Sequence, residues 1–469
     1  MKIDNSMCLG ESLFYDSVIP WPGLASYDDP EKSNIKKCFY GRDDESYDIF
    51  KLIESNHFVT LYGKSGIGKT SLLKAGVFPD LRHKNYLPVY LRLGMKDKTQ
   101  SFQELIIKSI ENLVHEVKTI NVIDEQYDQD KPNYLWNYFA RHRFFDKDGE
   151  SLIPVIVLDQ FEELLRHNRV ETEFLLRQID YAQDRNHILD NEIIDGELYR
   201  YQQNFRFVIS IREDYLYQLE DSIDTCYLPA LKCCRYRLLP LYDDQAEDII
   251  RKPIPGLISR EVAEEIISKV ANCPISNFRL GDGERQIEVD AAMLSLFMHE
   301  LFRLYINNKI DTEIPLSLVK EVGDNIIKTF YQDRMSKISS STVNYLEDHL
   351  VTDEGIRNCI FEYQALQDGI EEWELKFLQD QRIIHKINWY DSKDRIEFMH
   401  DRLCPIIKDF KEQRKSEEQL KAYELEQQQL KDEKEVERTK RNIEYNKRKR
   451  ATDRNVLLHK GRRLIDNAL

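Results

Sequence analysis

Five short apolar runs, separated by segments with helical periodicity, dominate the first half of the chain. They cover residues 57–62, 87–92, 152–158, 205–211 and about 235–239. Strands that are apolar throughout and alternate with helices are typical of a parallel sheet covered on both faces. The pattern therefore predicts an α/β core with a five-stranded parallel sheet. The polar stretches 116–135 and 180–203 are expected on its surface.

Helical periodicity continues through the second half, from about residue 243. Short helices are predicted as far as residue 408, interrupted by a polar loop over 273–288. Near their end, two β-like runs at 382–388 and 395–399 flank a turn. Helices followed by a two-stranded wing indicate a winged-helix domain.

The last part of the chain, after Phe410, is almost entirely Lys, Glu, Gln and Arg. It has no sustained heptad seam, so we expect a solvated, charged helix, with a weak coiled coil as the alternative. Residues 441–463 are strongly basic. Such a segment is more typical of a solvated end than of a binding site, so nucleic acid is compatible with it but not favoured.

Composition narrows the class of protein further. The chain has 469 residues, of which 41% are hydrophobic and 32% charged, with a net charge of −16. This balance argues against a surface coated with DNA-binding charge. The eight cysteines form no C-x-x-C pair, so free thiols in a reducing compartment are expected. With no signal segment and no membrane span, a cytoplasmic location is the default expectation.

The most specific motif follows the first apolar run and precedes a helix. Residues 63–70 fit the phosphate-binding pattern G-x-x-x-x-G-K-[ST]. Its glycines let successive backbone N–H groups point at phosphate oxygens, and the helix N-terminus adds partial positive charge. Lys69 is expected to reach the terminal phosphates and Thr70 to ligate magnesium (Mg2+). The predicted nucleotide-binding residues here are Gly63, Lys64, Ser65, Gly66, Ile67, Gly68, Lys69, Thr70 and Ser71.

A second carboxylate motif ends the third apolar run. Asp159 follows four apolar residues, which is the form of a magnesium-binding Walker B strand. Gln160 stands where rapid hydrolases usually carry a glutamate, and an amide cannot accept a proton. Glu162 or Glu163 must then orient the attacking water, which predicts slow ATP hydrolysis. A helix-start role for these two glutamates is the alternative.

The fourth apolar run ends in another candidate for the site. Arg212 follows it directly and is expected at the edge of the phosphate site, where it could contact the γ-phosphate. An ion pair with Glu213 or Asp214 is the alternative for Arg212.

Several motifs of the chain together resemble those of a known family, the STAND NTPases. Residues 39–45, which include Gly41 and Arg42, are similar to the hhGRxxE motif of that family, and the resemblance implies that Gly41 and Arg42 bind the nucleotide. Residues 21–24 and 75–82 look like the novel STAND group found in prokaryotes, as does the Walker B segment 159–164. Arg212 falls at the sensor position of the family.

Two further segments extend the resemblance to about residue 410. Residues 238–253 resemble the segment that enters the helical lid, and the matching proline, Pro240, would pack near the adenine. Met399, His400 and Asp401 are similar to the MHD motif of NB-ARC proteins. The predicted divisions are an N-terminal extension over 1–35, a P-loop NTPase domain over 36–240, a lid over 241–310, a winged helix over 311–410 and a charged helical tail over 411–469.

The resemblance implies a switch that binds ATP or ADP with Mg2+. ADP would hold the NTPase core, lid and winged helix together, with His400 donating to the β-phosphate. ATP would open this arrangement and expose surfaces for homo-oligomerisation. Members often act in defence or signalling, with a trigger and an effector that this sequence does not identify.

Two other functions remain compatible with the residues. The first is a DNA-binding AAA+ initiator or loader, which also joins a P-loop core, a lid and a winged helix. The second is a nucleotide-binding scaffold that keeps ADP and hydrolyses nothing.

Overall fold

The computed structural model describes most of the chain, in two compact units. The first unit comprises Met1–Thr352 with Ile356–Cys404, and the second comprises Asp353–Gly355 with Pro405–Leu469. The residues described are 19–30, 38–93, 101–119, 134–167, 169–183, 193–194, 197–198, 205–223, 233–273, 287–310, 312–323, 325–387, 394–399 and 403–466.

A seven-stranded sheet forms the centre of the first unit. The strands up to residue 237 are β1 Phe58–Gly63, β2 Tyr86–Arg92, β3 Glu116–Thr119, β4 His142–Phe145, β5 Ser151–Asp159, β6 Ile193–Ile194, β7 Glu197–Leu198, β8 Arg206–Arg212 and β9 Arg235–Arg237. Five of them are parallel, in the order β2-β5-β8-β1-β9. Strands β6 and β7 pair only with each other.

The predicted five-stranded sheet was wrong as a count of the whole sheet. All five predicted runs are parallel strands, but β3 and β4 extend the sheet in antiparallel fashion. Strand β4 pairs with the first residues of β5, Ser151 and Leu152. Strand β3 has only four residues, Glu-Val-Lys-Thr, inside a stretch expected to be polar surface. Strands of four residues that include charged side chains leave no continuous apolar run, so the pattern did not reveal β3 and β4.

Both faces of the parallel strands are buried, which explains their apolar runs. Along β5, Ile156 and Leu158 pack into the core cluster on one face. Val155 and Val157, which alternate with them, pack into the cluster on the other face. All four are 0% exposed, because successive side chains of a strand point to opposite faces.

Helices cover both faces of this sheet. They are α1 Asp43–Ser55, α2 Lys69–Ser71, a π-helical segment Leu72–Val77, α3 Phe78–Arg82, α4 Phe102–Glu111, α5 Tyr134–Arg141, α6 Glu162–His167, α7 Arg169–Gln183 and α8 Leu216–Ile223. Helix α4 begins with a capping box between Ser101 and Glu104, which satisfies two N–H groups that the helix leaves without partners.

A helical layer follows the sheet. It contains α9 Asp243–Arg251, α10 Arg260–Ala271, α11 Ala291–Asn307 and α12 Leu316–Val322. Side chains of Ser259 and Asp290 cap α10 and α11. The core of this layer includes Trp21, which is fully buried although it lies within the predicted N-terminal extension.

The remainder of the first unit combines helices with a small sheet. The helices are α13 Ile326–Met335, α14 Ser340–Leu350, α15 Glu362–Gln367 and α16 Glu372–Asp380. Strands β10 Cys359–Phe361, β11 Ile384–Ile387 and β12 Arg395–Phe398 form an antiparallel sheet in the order β10-β12-β11. The hairpin of β11 and β12 matches the two predicted β-like runs, and the winged-helix assignment stays a prediction.

The second unit consists mainly of one helix, α17 Cys404–Asp466. Its apolar side chains are scattered and largely exposed, for example Leu420 at 59% and Leu425 at 61%. Pairs such as Arg441 with Glu437 connect successive turns, which adds a few tenths of a kcal/mol per pair. Among the described helices, none combines the length and apolarity that a lipid bilayer requires.

Candidate functional site

The predicted phosphate loop lies between β1 and α2. Gly66 and Gly68 have backbone φ angles of +73° and +99°, a region that L side chains rarely adopt. The Lys69 ammonium closes the loop, because Nζ donates to the carbonyl oxygens of Gly63 and Lys64 at 2.9 and 3.0 Å. Burial lowers the pKa of Lys69, and the nearby Glu162 carboxylate opposes that shift.

The two predicted magnesium ligands are in direct contact. Thr70 Oγ1 donates to Asp159 Oδ2 at 2.6 Å, and Tyr90 donates its hydroxyl to the same oxygen at 2.8 Å. Asp159, at the end of β5, is 1% exposed. Burial and this carboxylate raise the pKa of Tyr90. A hydroxyl beside a carboxylate supplies the oxygen ligands that Mg2+ prefers, so these residues fit that ion.

Gln160, directly after Asp159, occupies a strained position. Its φ is +56°, which costs a residue other than glycine about 1–2 kcal/mol. Its Oε1 accepts a hydrogen bond from Arg92 Nε at 2.7 Å. The amide is thereby held in place, and it offers the site no proton acceptor with a useful pKa.

Glu162 and Glu163 both line the cavity in front of the loop. Glu162 is 5% exposed, and its Oε2 accepts a hydrogen bond from the backbone N–H of Arg212 at 3.2 Å. Burial raises the pKa of Glu162 to about 7, against the opposing charge of Lys69. A carboxyl group that titrates near neutral pH suits general base catalysis, which favours Glu162 over Glu163 for that role.

Arg212 lies at the edge of the same cavity. Its guanidinium donates to Asp214 through Nε at 3.1 Å and through a terminal nitrogen at 2.7 Å. This is the ion pair that the sequence offered as the alternative to a phosphate contact. To contact a γ-phosphate, Arg212 would have to exchange its partner.

Gly41 and Arg42 connect the core to the first helix of the helical layer. A Cβ at Gly41, whose φ is +75°, would lie 2.5 Å from the Gln245 carbonyl oxygen. Arg42 donates to Glu45 at 2.5 Å and to the Leu239 carbonyl at 2.8 Å. Gln245 donates to the same Glu45 oxygen at 2.8 Å. The described hydrogen bonds of Arg42 therefore hold the segment that leads into α9.

The N-terminal segment connects the helical layer to the phosphate loop. The Trp21 indole N–H donates to the Ile249 carbonyl at 2.9 Å, and His299 Nδ1 donates to the Trp21 carbonyl at 2.8 Å. Farther along, the Tyr27 backbone N–H donates to Ser71 Oγ at 3.1 Å. The segment thus contacts both α11 and the start of the loop helix.

These parts enclose a cavity of about 460 Å³ in front of the phosphate loop. The predicted site residues that line it are Arg42, Ser65, Gly66, Ile67, Gly68, Lys69, Thr70, Ser71, Asp159, Glu162, Glu163 and Arg212. The described lining does not include Gly41, Gly63, Lys64 or Pro240.

Two further predictions, Pro240 near the adenine and His400 at the β-phosphate, have different outcomes. Pro240 is half-buried, and its neighbour Leu241 contributes to the wall instead. His400 lies outside the described residues, as does Asp401, while Met399 beside them lines the cavity.

Several lining residues were missed from the sequence. They are Tyr27 and Tyr40 near the amino terminus, Tyr90 and Arg92 on β2, Ser295 on α11, and Arg357, Arg382, His385 and Glu397 near the small sheet. On that sheet Glu397 contacts Arg357 at 3.1 Å and His385 at 3.3 Å. Tyr40 lies within the 39–45 motif, but no short motif marks the other positions, because tertiary packing brings them to the cavity.

Comparison with known proteins gives one family match. A family model described as Novel STAND NTPase 1 matches residues 20–322, which is more than half of the chain. No curated protein sequence matches the chain.

Among solved structures, the similarities are distant. The Orc1 protein of Aeropyrum pernix in complex with DNA is 13% identical, with a TM-score of 0.40 over 80% of this chain and 94% of that one. The Walker-type ATPase paby2304 of Pyrococcus abyssi is 15% identical, with a TM-score of 0.36 over 82% and 98%. The Orc2 protein of Aeropyrum pernix, in ADPNP–ADP complexes, is 13% identical, with a TM-score of 0.41 over 80% and 95%.

Proposed function

The chain belongs to the novel STAND NTPase family, and we propose that it is a nucleotide-controlled switch that hydrolyses ATP slowly. In this proposal ADP holds the closed form, and ATP favours an open form that assembles with further copies. The observation that supports it is that one cavity has Lys69 of the core, Ser295 of the helical layer and Arg382 near the small sheet in its wall. A ligand there would contact all three parts. A role in prokaryotic defence or signal transduction follows the family resemblance.

The proposed binding mode uses groups already in place. The N–H groups of residues 65–70 and the Lys69 ammonium would hold the phosphates. Thr70 and Asp159 would hold Mg2+, which neutralises phosphate charge when bound. Thr70 Oγ1 keeps its lone pairs for the ion while its O–H donates to Asp159 Oδ2, and the second carboxylate oxygen of Asp159 is not the one that Thr70 and Tyr90 contact.

Slow hydrolysis follows from the proton acceptors that line the cavity. Gln160 accepts a hydrogen bond from Arg92 and cannot take a proton from water. We assign the base to Glu162, which shares the cavity with Asp159. Its pKa near 7 leaves part of the population protonated at neutral pH. Deprotonation and the exchange of the Arg212 ion pair would both precede efficient catalysis.

The closed form requires more than one contact to the nucleotide. Moving an equilibrium from 1:99 to 99:1 takes about 5.5 kcal/mol of differential binding. A hydrogen bond to a charged group contributes about 1.5–3 kcal/mol. His400, the family's expected β-phosphate donor, would therefore supply only part of the difference, and the packing of the parts must supply the rest.

The decisive experiment measures nucleotide content and mass in solution for the full chain. We expect bound ADP after purification, a monomer with ADP and a larger species with a non-hydrolysable ATP analogue. Lys69→Ala should lose the nucleotide, and His400→Ala should shift the chain towards the larger species. Normal ADP content in the Lys69 variant would refute the site, and a mass that ignores the nucleotide would refute the switch.

A further inference from the structure

Arg382 sits at an unusual backbone position between α16 and β11. Its φ is +56°. Its N–H donates to the Gln379 carbonyl at 2.9 Å, and the next N–H, of Ile383, donates to the Leu378 carbonyl at 3.0 Å. These two bonds define a Schellman motif with Arg382 at its left-handed position, where glycine is the usual residue.

The preceding helix, α15, ends in the same motif with glycine at the left-handed position. After α15, Gly369 has a φ of +96° and donates to the Leu366 carbonyl, and Ile370 donates to the Ala365 carbonyl. This is the same motif with glycine. An arginine in the left-handed position is strained, whereas glycine adopts this backbone conformation without cost.

A second basic residue, Lys309, shows that a left-handed position in this motif does not by itself indicate a ligand-binding residue. Lys309 has a φ of +49° and occupies the corresponding position after α11. Both residues are exposed, but Arg382 lines the cavity and Lys309 does not. Its place in the cavity wall therefore distinguishes Arg382.

Arg382 also differs from the other arginines that line the cavity. The guanidinium groups of the others contact protein acceptors, namely Glu45, Gln160, Asp214 and Glu397. Among the residues that the structure describes, no acceptor is recorded for the Arg382 side chain. A cation on the wall of the cavity that also includes Lys69 and the phosphate loop, without such an acceptor, suits a phosphate group.

We propose that Arg382 is a phosphate-binding residue of the nucleotide site, contributed by the turn that precedes the β11–β12 hairpin. The inference rests on the proposed nucleotide-binding function and extends it. A planar guanidinium can form two parallel hydrogen bonds to phosphate oxygens. Through Arg382 the phosphates would hold the β11–β12 hairpin against the cavity, in addition to any contact from residues 399–401.

The test compares Arg382→Gly with Lys309→Gly in the full chain. Both substitutions place glycine in a left-handed position, so both should leave the thermal midpoint unchanged or raise it. The affinity for ADP is titrated in each variant, and adenosine is titrated as a competitor without phosphates. We expect ADP to bind Arg382→Gly at least about tenfold more weakly than Lys309→Gly, and adenosine to bind both variants equally.

Hydrogen exchange supplies a second readout that is independent of affinity. Saturating ADP should slow exchange at residues 378–387 in Lys309→Gly and should not do so in Arg382→Gly. Equal ADP affinity in the two variants would overturn the proposal, as would an equal loss for adenosine. The unaltered chain is titrated with ADP and ATP in parallel, and its failure to bind either would overturn the proposed function itself.

Discussion

Arg92 Nε donates to the side-chain oxygen of Gln160 across 2.7 Å, from the end of β2 to the residue that follows β5. The partner of Arg92 is a neutral amide, so this bond fixes Gln160 without creating a base. Glu162, two residues later, is a buried carboxyl group whose pKa is raised to about 7. Under the proposed function, the base is therefore Glu162 and not the residue that follows Asp159.

Replacing Glu162 by glutamine should abolish most ATP hydrolysis while ADP still binds. Loss of a general base typically costs 10²–10⁴-fold in rate, and we expect a loss of at least about 100-fold. Phosphate release under single-turnover conditions measures it. The matched control is Gln160→Ala, which removes the amide but no proton acceptor and should lose less than about tenfold. The reverse order of the two losses would exclude Glu162 as the base.

The rate of ATP hydrolysis should increase with pH. Because burial raises the pKa of Glu162 to about 7, the base is protonated and inactive below that value. The pH profile of kcat/KM reports the free protein, so it should rise to a plateau above about 7. The Glu163→Gln variant should show the same rise of kcat/KM with pH. A profile that is flat from pH 5.5 to 8 would exclude Glu162 as the base.

The same group should make stability depend on pH in a defined direction. A carboxyl group with a raised pKa binds its proton in the folded chain between about 4.5 and 7, where the unfolded chain has released it. Stability therefore falls as pH rises through this window, by at most about 3 kcal/mol. Thermal midpoints should show that Glu162→Gln gains more over the unaltered chain at pH 8 than at pH 5. Equal gains would contradict the raised pKa.

Gly41→Ala should destabilise the fold where the core contacts α9. The new Cβ would lie 2.5 Å from the Gln245 carbonyl oxygen, so backbone has to move. Gly256→Ala is the matched control, because Gly256 has a similar φ of +84° but nothing within 4 Å of the added Cβ. We expect Gly41→Ala to be less stable than Gly256→Ala by roughly 1–3 kcal/mol in urea unfolding. Equal losses would mean that the contact relaxes freely.

Ser295→Ala should weaken nucleotide binding without weakening the fold. Among the described residues no hydrogen-bond partner is recorded for its buried Oγ, and Ser295 lines the cavity. A bond from this hydroxyl to the ligand would contribute about 0.5–1.5 kcal/mol, which is a loss of roughly two- to tenfold in ADP affinity. Ser210, whose Oγ is also buried without a recorded partner but is not in the described lining, provides the control Ser210→Ala. Equal affinities in the two variants would remove Ser295 from the site.

The sequence predicted those cavity residues that belong to motifs of neighbouring residues. The loop 63–70 and Asp159 were found because a fixed spacing and an apolar strand are properties of neighbouring residues. Asp214 as the partner of Arg212 was also among the alternatives, since the two lie two positions apart. Local chemistry of this kind is readable without knowing the fold.

Contacts between distant residues could not be read in the same way. Tyr90 reaches Asp159 because β2 and β5 are adjacent in register, with Arg92 opposite Asp159. Nothing in the sequence near Tyr90 indicates this pairing. Arg382 is similar, because its significance depends on a strained turn and a cavity wall assembled from distant segments.

The course of residues 19–30 has a kinetic consequence. Trp21 is fully buried among the helices of the helical layer, while the backbone N–H of Tyr27 donates to Ser71 at the loop helix. Any motion that separates this layer from the phosphate loop has to stretch the segment or extract the indole, and the loss of a buried tryptophan's contacts costs about 3–5 kcal/mol. The rate of such a separation would then depend on an apolar anchor as well as on the groups that line the cavity.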